Sequence, residues 1–282
     1  MKKIKIVTDS TSDLTAEEIE YLNIHVIPLS ISINGETYTD GVDITPEVFM
    51  NKMKMSPDLP KSSQPAIGEF IKLYDELGKD GSEIISIHMT GNMSGTVETA
   101  TCAAQMSSSK VKVIDSKFIS KALAFQVREA ATLSKLGHSL EEILAKLKKI
   151  RENTKLYVAV DTLENLVKGG RIGKGKAMIG SLLNIKPIAH LDNGEYSPIA
   201  KVRSKTQILN FLMKQFMKDI KGKRINSIGI SHAEGIELAV KMKEKIEEMT
   251  GFSKVEIDYT TPVISTHTGP GAIGFMYYFD EF

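Results

Sequence analysis

Three short segments, far apart in the chain, hold the residues best suited to chemistry. They are Lys61-Ser62-Ser63-Gln64-Pro65, Gly91-Asn92-Met93-Ser94-Gly95-Thr96 and Ser265-Thr266-His267-Thr268-Gly269-Pro270-Gly271. Each is a hydroxyl-rich or glycine-rich turn leading into an ordered element. Together they offer hydroxyls, free backbone N–H groups and one imidazole, the donors that hold a carboxylate or a phosphate. No nucleophile–base pair and no metal cluster stands out, so the sequence assigns no catalytic residue and no metal ligand. The chemistry on offer is that of holding an anion, not of breaking a bond.

Each segment also has a plainer explanation. Ser94-Gly95-Thr96 lies where a strand pattern gives way to a helix pattern. Exposed N–H groups and the helix dipole favour an anion there, yet the same residues make an ordinary N-cap. Ser62-Ser63 exceeds what one cap needs, although serine pairs are common in loops. His267 reads as part of a glycine-rich loop, where Thr266, Thr268 and Gly269 permit close approach of backbone to a ligand. A lone histidine serves a structural role just as readily. Asp9-Ser10-Thr11-Ser12-Asp13 places two carboxylates after the first strand, but no further acidic cluster completes a metal-dependent phosphatase site. The six histidines show no ligand-like spacing.

Lys168-Gly169-Gly170-Arg171-Ile172-Gly173-Lys174-Gly175-Lys176 is the most basic stretch. It lacks the Gly-Lys-Ser/Thr order of a P-loop and does not follow a strand as a dinucleotide fingerprint must. Arg171 can grip a phosphate or an acidic partner through its planar fork, with Arg203 as a second arginine. The alternative is a solvated turn.

The elements that must position these residues fall into two halves. At 282 residues the chain is long for one core, and 41% hydrophobic with 25% charged residues is the profile of a soluble globular protein. The net charge of +1 argues against a nucleic-acid partner. The single cysteine, Cys102, excludes an internal disulfide and is expected as a small apolar residue on a helix from Thr96 to Gln105. Met1 to Val7 alternates like a strand and is too short and charged for a signal peptide. No apolar run approaches the roughly 18 residues of a membrane span, so a cytoplasmic protein is expected.

Before Asn153, short strands (Lys3 to Thr8, Glu83 to Met89, Val111 to Asp115) alternate with helices. Thr15-Ala16-Glu17-Glu18 and Ser139-Leu140-Glu141-Glu142 are capping boxes, and Asn34-Gly35 marks a hairpin turn. Ser56 to Pro65, with three prolines, reads as a loop. This alternation predicts a mostly parallel sheet covered by helices over 1–154. Over 155–282 the pattern includes a hairpin, Pro187 to Leu191 and Tyr196 to Val202, around Asp192-Asn193-Gly194. A second α/β domain with a mixed or antiparallel sheet is expected, ending in a strand from Gly274 to Phe279.

Taken together, the segments resemble the DegV family. The matching pieces are Val7-Thr8-Asp9-Ser10, Ser62-Ser63-Gln64-Pro65, Ser94-Gly95-Thr96, Gly169-Gly170-Arg171-Ile172 and His267-Thr268-Gly269-Pro270-Gly271. They follow the family's order and span nearly the whole chain. The resemblance implies a two-domain α/β protein that holds one long-chain fatty acid in a cleft between its domains and has no other cofactor. It further implies a non-catalytic subunit of a bacterial fatty-acid kinase. A separate kinase subunit phosphorylates the bound carboxylate, and the product feeds phospholipid synthesis. Carried over residue by residue, Ser62, Ser94 and His267 surround the carboxylate, with Ser63, Gly95 and Thr96 as neighbours. Arg171 and Arg203 match arginines at the kinase-facing mouth. The family more often has threonine where Ser62 stands; serine keeps the hydroxyl and loses a methyl. The alternative is an enzyme acting on a small phosphorylated or carboxylated metabolite through Asp9, Ser94 or His267.

A fatty tail needs an apolar tunnel, which two packed domains provide. Burying roughly ten methylenes at ~0.8 kcal/mol each supplies ~8 kcal/mol before association costs. The tail then dominates affinity and the hydroxyls set orientation. A short apolar helix from Ala177 to Asn184, with Lys174 and Lys176 at its edge, reads either as a movable lid touching an anionic membrane surface or as a plain core helix.

Overall fold

The computed structural model describes residues 3–178 and 185–281. The first half runs β1 (Ile4–Asp9), α1 (Ala16–Leu22), β2 (Ile24–Ile27), β3 (Ser30–Ile33), β4 (Glu36–Thr39), α2 (Pro46–Met55) and β5 (Lys61–Ser63). It continues with α3 (Ile67–Gly78), β6 (Glu83–His88), α4 (Thr96–Met106), β7 (Lys110–Asp115), α5 (Ser120–Lys135) and α6 (Leu140–Glu152). The second half runs β8 (Thr154–Ala159), α7 (Glu164–Lys168), β9 (Lys186–Asp192), β10 (Glu195–Val202) and α8 (Lys205–Asp219). It closes with β11 (Lys223–Ala233), α9 (Ile236–Thr250), β12 (Val255–Tyr259), α10 (Pro262–Thr268) and β13 (Ala272–Glu281).

Three sheets result. The first is parallel throughout, in the order β2-β1-β6-β7. Its central strands, IKIVTD and EIISIH, are buried on both faces, as near-continuous apolar runs require. The second has six strands in the order β10-β9-β8-β13-β11-β12 and is mixed: only β11 and β12 run parallel. The third is a small antiparallel sheet, β4-β3-β5. The apolar run from Ile24 to Ile33 divides at Pro28 into β2 of the first sheet and β3 of the third. Proline has no N–H to continue a ladder.

Helix α5 joins the two large sheets. Ten of its residues are buried, and it packs against β1 and β6 on one side and β8, β11 and β13 on the other. One apolar core therefore runs from Ile85 and Leu123 to Leu156 and Met276. Lys121 lies inside this contact, 1% exposed, and reaches Asp258 at 2.8 Å. Gly229 makes room for it, since a Cβ there would lie 2.8 Å from Lys121 Cβ. Two outer cores, under α3–α4 and under α8–α9, cover the far faces.

The fold departs from the sequence-based expectations at three points. Lys61–Ser63 is an edge strand rather than loop, because pairing with β3 satisfies its backbone. His267 lies on a seven-residue helix, α10, rather than in a glycine-rich loop. Cys102 is helical but exposed. The buried stripe of α4 is Thr96, Ala100 and Ala103, and its i, i+4, i+7 spacing leaves position 102 outside. The expected lid helix falls largely on residues 179–184, outside the described residues. Lys174, expected at its edge, is paired with Asp192 at 3.2 Å and Glu195 at 3.6 Å.

Candidate functional site

Ser62 and His267, 205 residues apart, meet in a hydrogen bond of 2.8 Å between Ser62 Oγ and His267 Nε2. Ser62 is placed by the pairing of β5 with β3, where it stands opposite Ile31. His267 is placed by α10, five of whose residues, Pro262 to Thr266, are buried. At the end of α10, Asn165 Nδ2 donates to the Thr266 carbonyl at 3.0 Å.

Electrostatics decide how this pair behaves. Burial pushes the His267 imidazole down to about 4, and the neighbouring Arg171 guanidinium adds to the effect. The ring is therefore neutral at physiological pH. Its Nδ1 is buried without a hydrogen-bond partner and faces Gly169, where a Cβ would collide with it. A ring proton on Nδ1 would be stranded, so we assign it to Nε2, which donates to Ser62 Oγ. The Ser62 O–H is then free to donate to an anion. A general base needs a pKa near the working pH and an acid to orient it. Burial holds His267 below that range and its Nδ1 meets no acid, which favours a donor role over that of a general base.

The second motif stands beside the first. Ser94 Oγ lies 2.8 Å from Thr96 Oγ1 and accepts from Thr96 N–H at 3.3 Å, turning the chain into α4. Thr96 is fully buried and braces Ser94. Gly95 is needed for close approach, since a Cβ there would collide with the amide of Gln64. Gln64 Nε2 donates to Thr99 Oγ1 at 2.5 Å, locking the two motifs together. Arg171 donates from Nε to the Met93 carbonyl at 3.1 Å and from Nη1 to the Gly169 carbonyl at 2.7 Å. Arg203 is exposed beyond β10, and its N–H donates to Gln207 at 2.7 Å. It lines neither the cavity beside Ser62 and His267 nor the outer groove next to it.

These polar groups line part of a cavity of about 290 Å³. Ser62, Ser63, Gln64, Ser94, Arg171, His267 and Thr268 supply its polar lining. The remaining wall is apolar: Leu29, Met89, Met93 and Ile119 from the first half, and Val158, Leu166, Leu191, Tyr196, Val263 and Ile264 from the second. Gly95 and Thr96 support this lining from behind rather than forming it. Ser62, Arg171 and His267 also border an open outer groove with Lys61 and Lys168, so the polar lining adjoins that groove. Among the described residues, no His, Cys, Asp and Glu are grouped to hold a metal ion, and no helix is long and apolar enough to cross a membrane.

A family model described as "Uncharacterised protein, DegV family" matches residues 3–280. The chain belongs to the DegV family. A DegV domain-containing protein of Staphylococcus aureus is 50% identical over 276 residues, covering 98% of this chain and 99% of the relative. A Bacillus subtilis structure described as DegV, a fatty acid binding protein, superposes with a TM-score of 0.91 at 35% identity, covering 99% of this chain and 100% of that one. A DegV structure from Thermus thermophilus, described by its fatty acid binding, gives 0.92 at 32% identity, covering 98% and 99%. The two-domain α/β fold expected from the resemblance is the fold of these DegV structures.

The carboxylates of the Asp9–Asp13 segment of this DegV protein accept internal hydrogen bonds. Asp9 is fully buried and accepts from Thr11 N–H at 3.0 Å and Met89 N–H at 2.9 Å, with His88 Nδ1 at 3.0 Å. The DegV motifs carried no sign of the apolar wall. Leu29 and Tyr196 reach it only because β3 and β10 fold over the same space. The buried, unpartnered hydroxyl of Tyr196 also escaped sequence reasoning.

Proposed function

We propose that this protein binds one long-chain fatty acid. Its carboxylate lies against Ser62, Ser94 and His267 near Arg171, and its tail fills the apolar cavity. One observation carries the reading: an apolar cavity whose few polar lining groups are neutral or cationic donors and adjoin an open outer groove. A carboxylate at the mouth accepts from the Ser62 and Ser94 hydroxyls, while Arg171 supplies charge compensation. The cavity volume is near the lower end of the roughly 300–1,000 Å³ usual for ligand sites. That suits a slender chain better than a bulky ring system.

In the same reading the protein is a carrier, presenting the carboxylate to a separate kinase subunit that forms the acyl phosphate for phospholipid synthesis. The outer groove beside Ser62 and His267, with Lys61 and Lys168, supports this role, because ATP must reach the carboxylate from that side for a carboxylate oxygen to attack its terminal phosphorus and release ADP. Exchange of the acid with an anionic membrane surface belongs to the same role.

Native mass spectrometry, followed by solvent extraction, tests the binding. One fatty acid per chain is expected. A clean apo mass that stays unchanged with added fatty acids refutes it. Incubation with ATP, magnesium and a bacterial fatty-acid kinase subunit tests presentation, with acyl phosphate as the readout.

A further inference from the structure

Helix α10 carries His267 yet cannot cap itself. It has seven residues with Pro262 in its first turn, and its N-cap Thr261 makes no side-chain cap bond. Thr261 Oγ1 is buried without a partner. Its first N–H groups go instead to two carboxyl groups far away in sequence. Thr261 N–H donates to Asp13 Oδ1 at 3.0 Å, and Val263 N–H donates to Asp40 Oδ1 at 3.3 Å.

Both carboxyl groups are themselves held on every side. Asp13 accepts from Thr260 Oγ1 at 3.0 Å and from Ser120 Oγ. Asp13 and Ser120 both have left-handed backbone, with φ of 49° and 59°, a conformation costly for residues with a Cβ. Their strained geometry is what brings the carboxyl under α10. Asp40 accepts from Ser10 Oγ at 2.7 Å, and Ser10 Oγ accepts from Leu29 N–H at 3.1 Å. Asp40 N–H donates to the Leu29 carbonyl at 2.9 Å, immediately before β3. Asp40 therefore touches both the helix that carries His267 and the strand whose pairing places Ser62.

We propose that Asp13 and Asp40 are the positioning residues of this site, two buried carboxyl groups that clamp the start of α10 and so set His267 against Ser62. Neither touches the cavity, and neither takes part in binding directly. This gives the Asp9-to-Asp13 motif a role: Asp13 acts on α10 directly, and Ser10 acts through Asp40. The inference rests on the carboxylate-site reading for its consequence, but not for its geometry.

The test uses the full chain with Asp13→Ala, Asp40→Ala and Asp40→Asn, and Phe216→Leu as a control in the outer core beneath α8. The ring resonances of His267 are followed by NMR without ligand, and oleic acid binding is measured by calorimetry. Both alanine variants are expected to shift the His267 ring resonances and weaken oleic acid about tenfold, the factor of roughly one lost hydrogen bond. Asp40→Asn keeps an acceptor for Val263 N–H and restores both readouts. Phe216→Leu lowers thermal stability but leaves both unchanged. Folded alanine variants with native His267 resonances overturn the proposal. If Asp40→Ala does not fold, Ser10→Ala decides: it removes only the hydroxyl that orients Asp40 and should shift the same resonances less. Native resonances there also overturn the proposal. A native chain that binds no oleic acid refutes the carrier reading, while the ligand-free resonances still decide the clamp.

Discussion

Replacing Gly169 with alanine separates the stability of the fold from the geometry of the site. Gly169 ends α7 with φ −76° and ψ −10°, a backbone that alanine adopts freely. Alanine gains up to about 1 kcal/mol over glycine in helical backbone. Local propensity alone therefore predicts an unchanged or higher melting temperature. The new Cβ, however, would collide with His267 Nδ1, and would sit 3.1 Å from His267 Cε1 and 2.9 Å from the Asn165 carbonyl oxygen. The carbonyl belongs to α7 and yields little, so the imidazole must move. Moving it breaks the 2.8 Å bond to Ser62 and leaves a buried ring nitrogen unsatisfied. The displaced pair no longer aims the Ser62 hydroxyl at a ligand, and losing that one bond to the ligand costs about 1–3 kcal/mol, or roughly 5- to 150-fold in affinity. The assay is a thermal melt beside calorimetric titration with a fatty acid. Affinity should fall clearly, while the melting temperature moves little because the propensity gain partly offsets the broken internal bond. Affinity within twofold of native, in a variant that melts normally, would refute the claim that His267 is held by close approach to Gly169.

Three further outcomes are expected. Ser94→Ala removes a hydroxyl that lines the cavity and, in the proposed function, faces the carboxylate; it should weaken binding by about 1–3 kcal/mol with little change in melting temperature, and unchanged affinity removes Ser94 from the site. His267, lowered from 6.5 to about 4 mainly by burial, should stay neutral in an NMR titration down to pH 5. Its contribution to stability is complete above pH 6.5 and declines as pH falls through about 4; a ring midpoint near 6.5 would contradict the site geometry. Asp40, raised from 3.8 to about 7 chiefly by burial, with Asp13 and Asp9 nearby, acts in the opposite sense. Its contribution is complete below pH 3.8 and declines as pH rises through about 7, so Asp40→Asn should flatten denaturant-melt stability between pH 4 and 7.

Much of the scaffold was legible in the chain because its signals are local. The capping boxes at Thr15 and Ser139 both form as read, with side chain and backbone bonds in each direction. The Asn193-Gly194 turn, with both residues at positive φ, joins β9 to β10 as its sequence requires. The three motifs around Ser62, Ser94 and His267 were also visible, because hydroxyls and glycines cluster where backbone must approach other groups closely. Cys102 shows where local reading stops. The helix was clear, but its buried face was set by what packs on α4 and not by the polarity of residue 102.

The alternation of strands and helices, and the hydroxyl- and glycine-rich turns that offer donors, were written into the chain locally. Those follow from hydrophobic periodicity, caps and turns, all properties of a few neighbouring residues. The tertiary structure alone decided that Ser62 meets His267, that Arg171 joins them and Arg203 does not, and that Leu29, Val158 and Tyr196 share one cavity. It also decided that α10 is a helix at all. Seven residues cannot offset the cost of helix nucleation alone. Asp13 and Asp40 cap this segment from more than 200 positions away, as the bonds to Thr261 and Val263 show. Contacts of that range have no local signature, because their energy appears only once both halves of the chain have packed on α5.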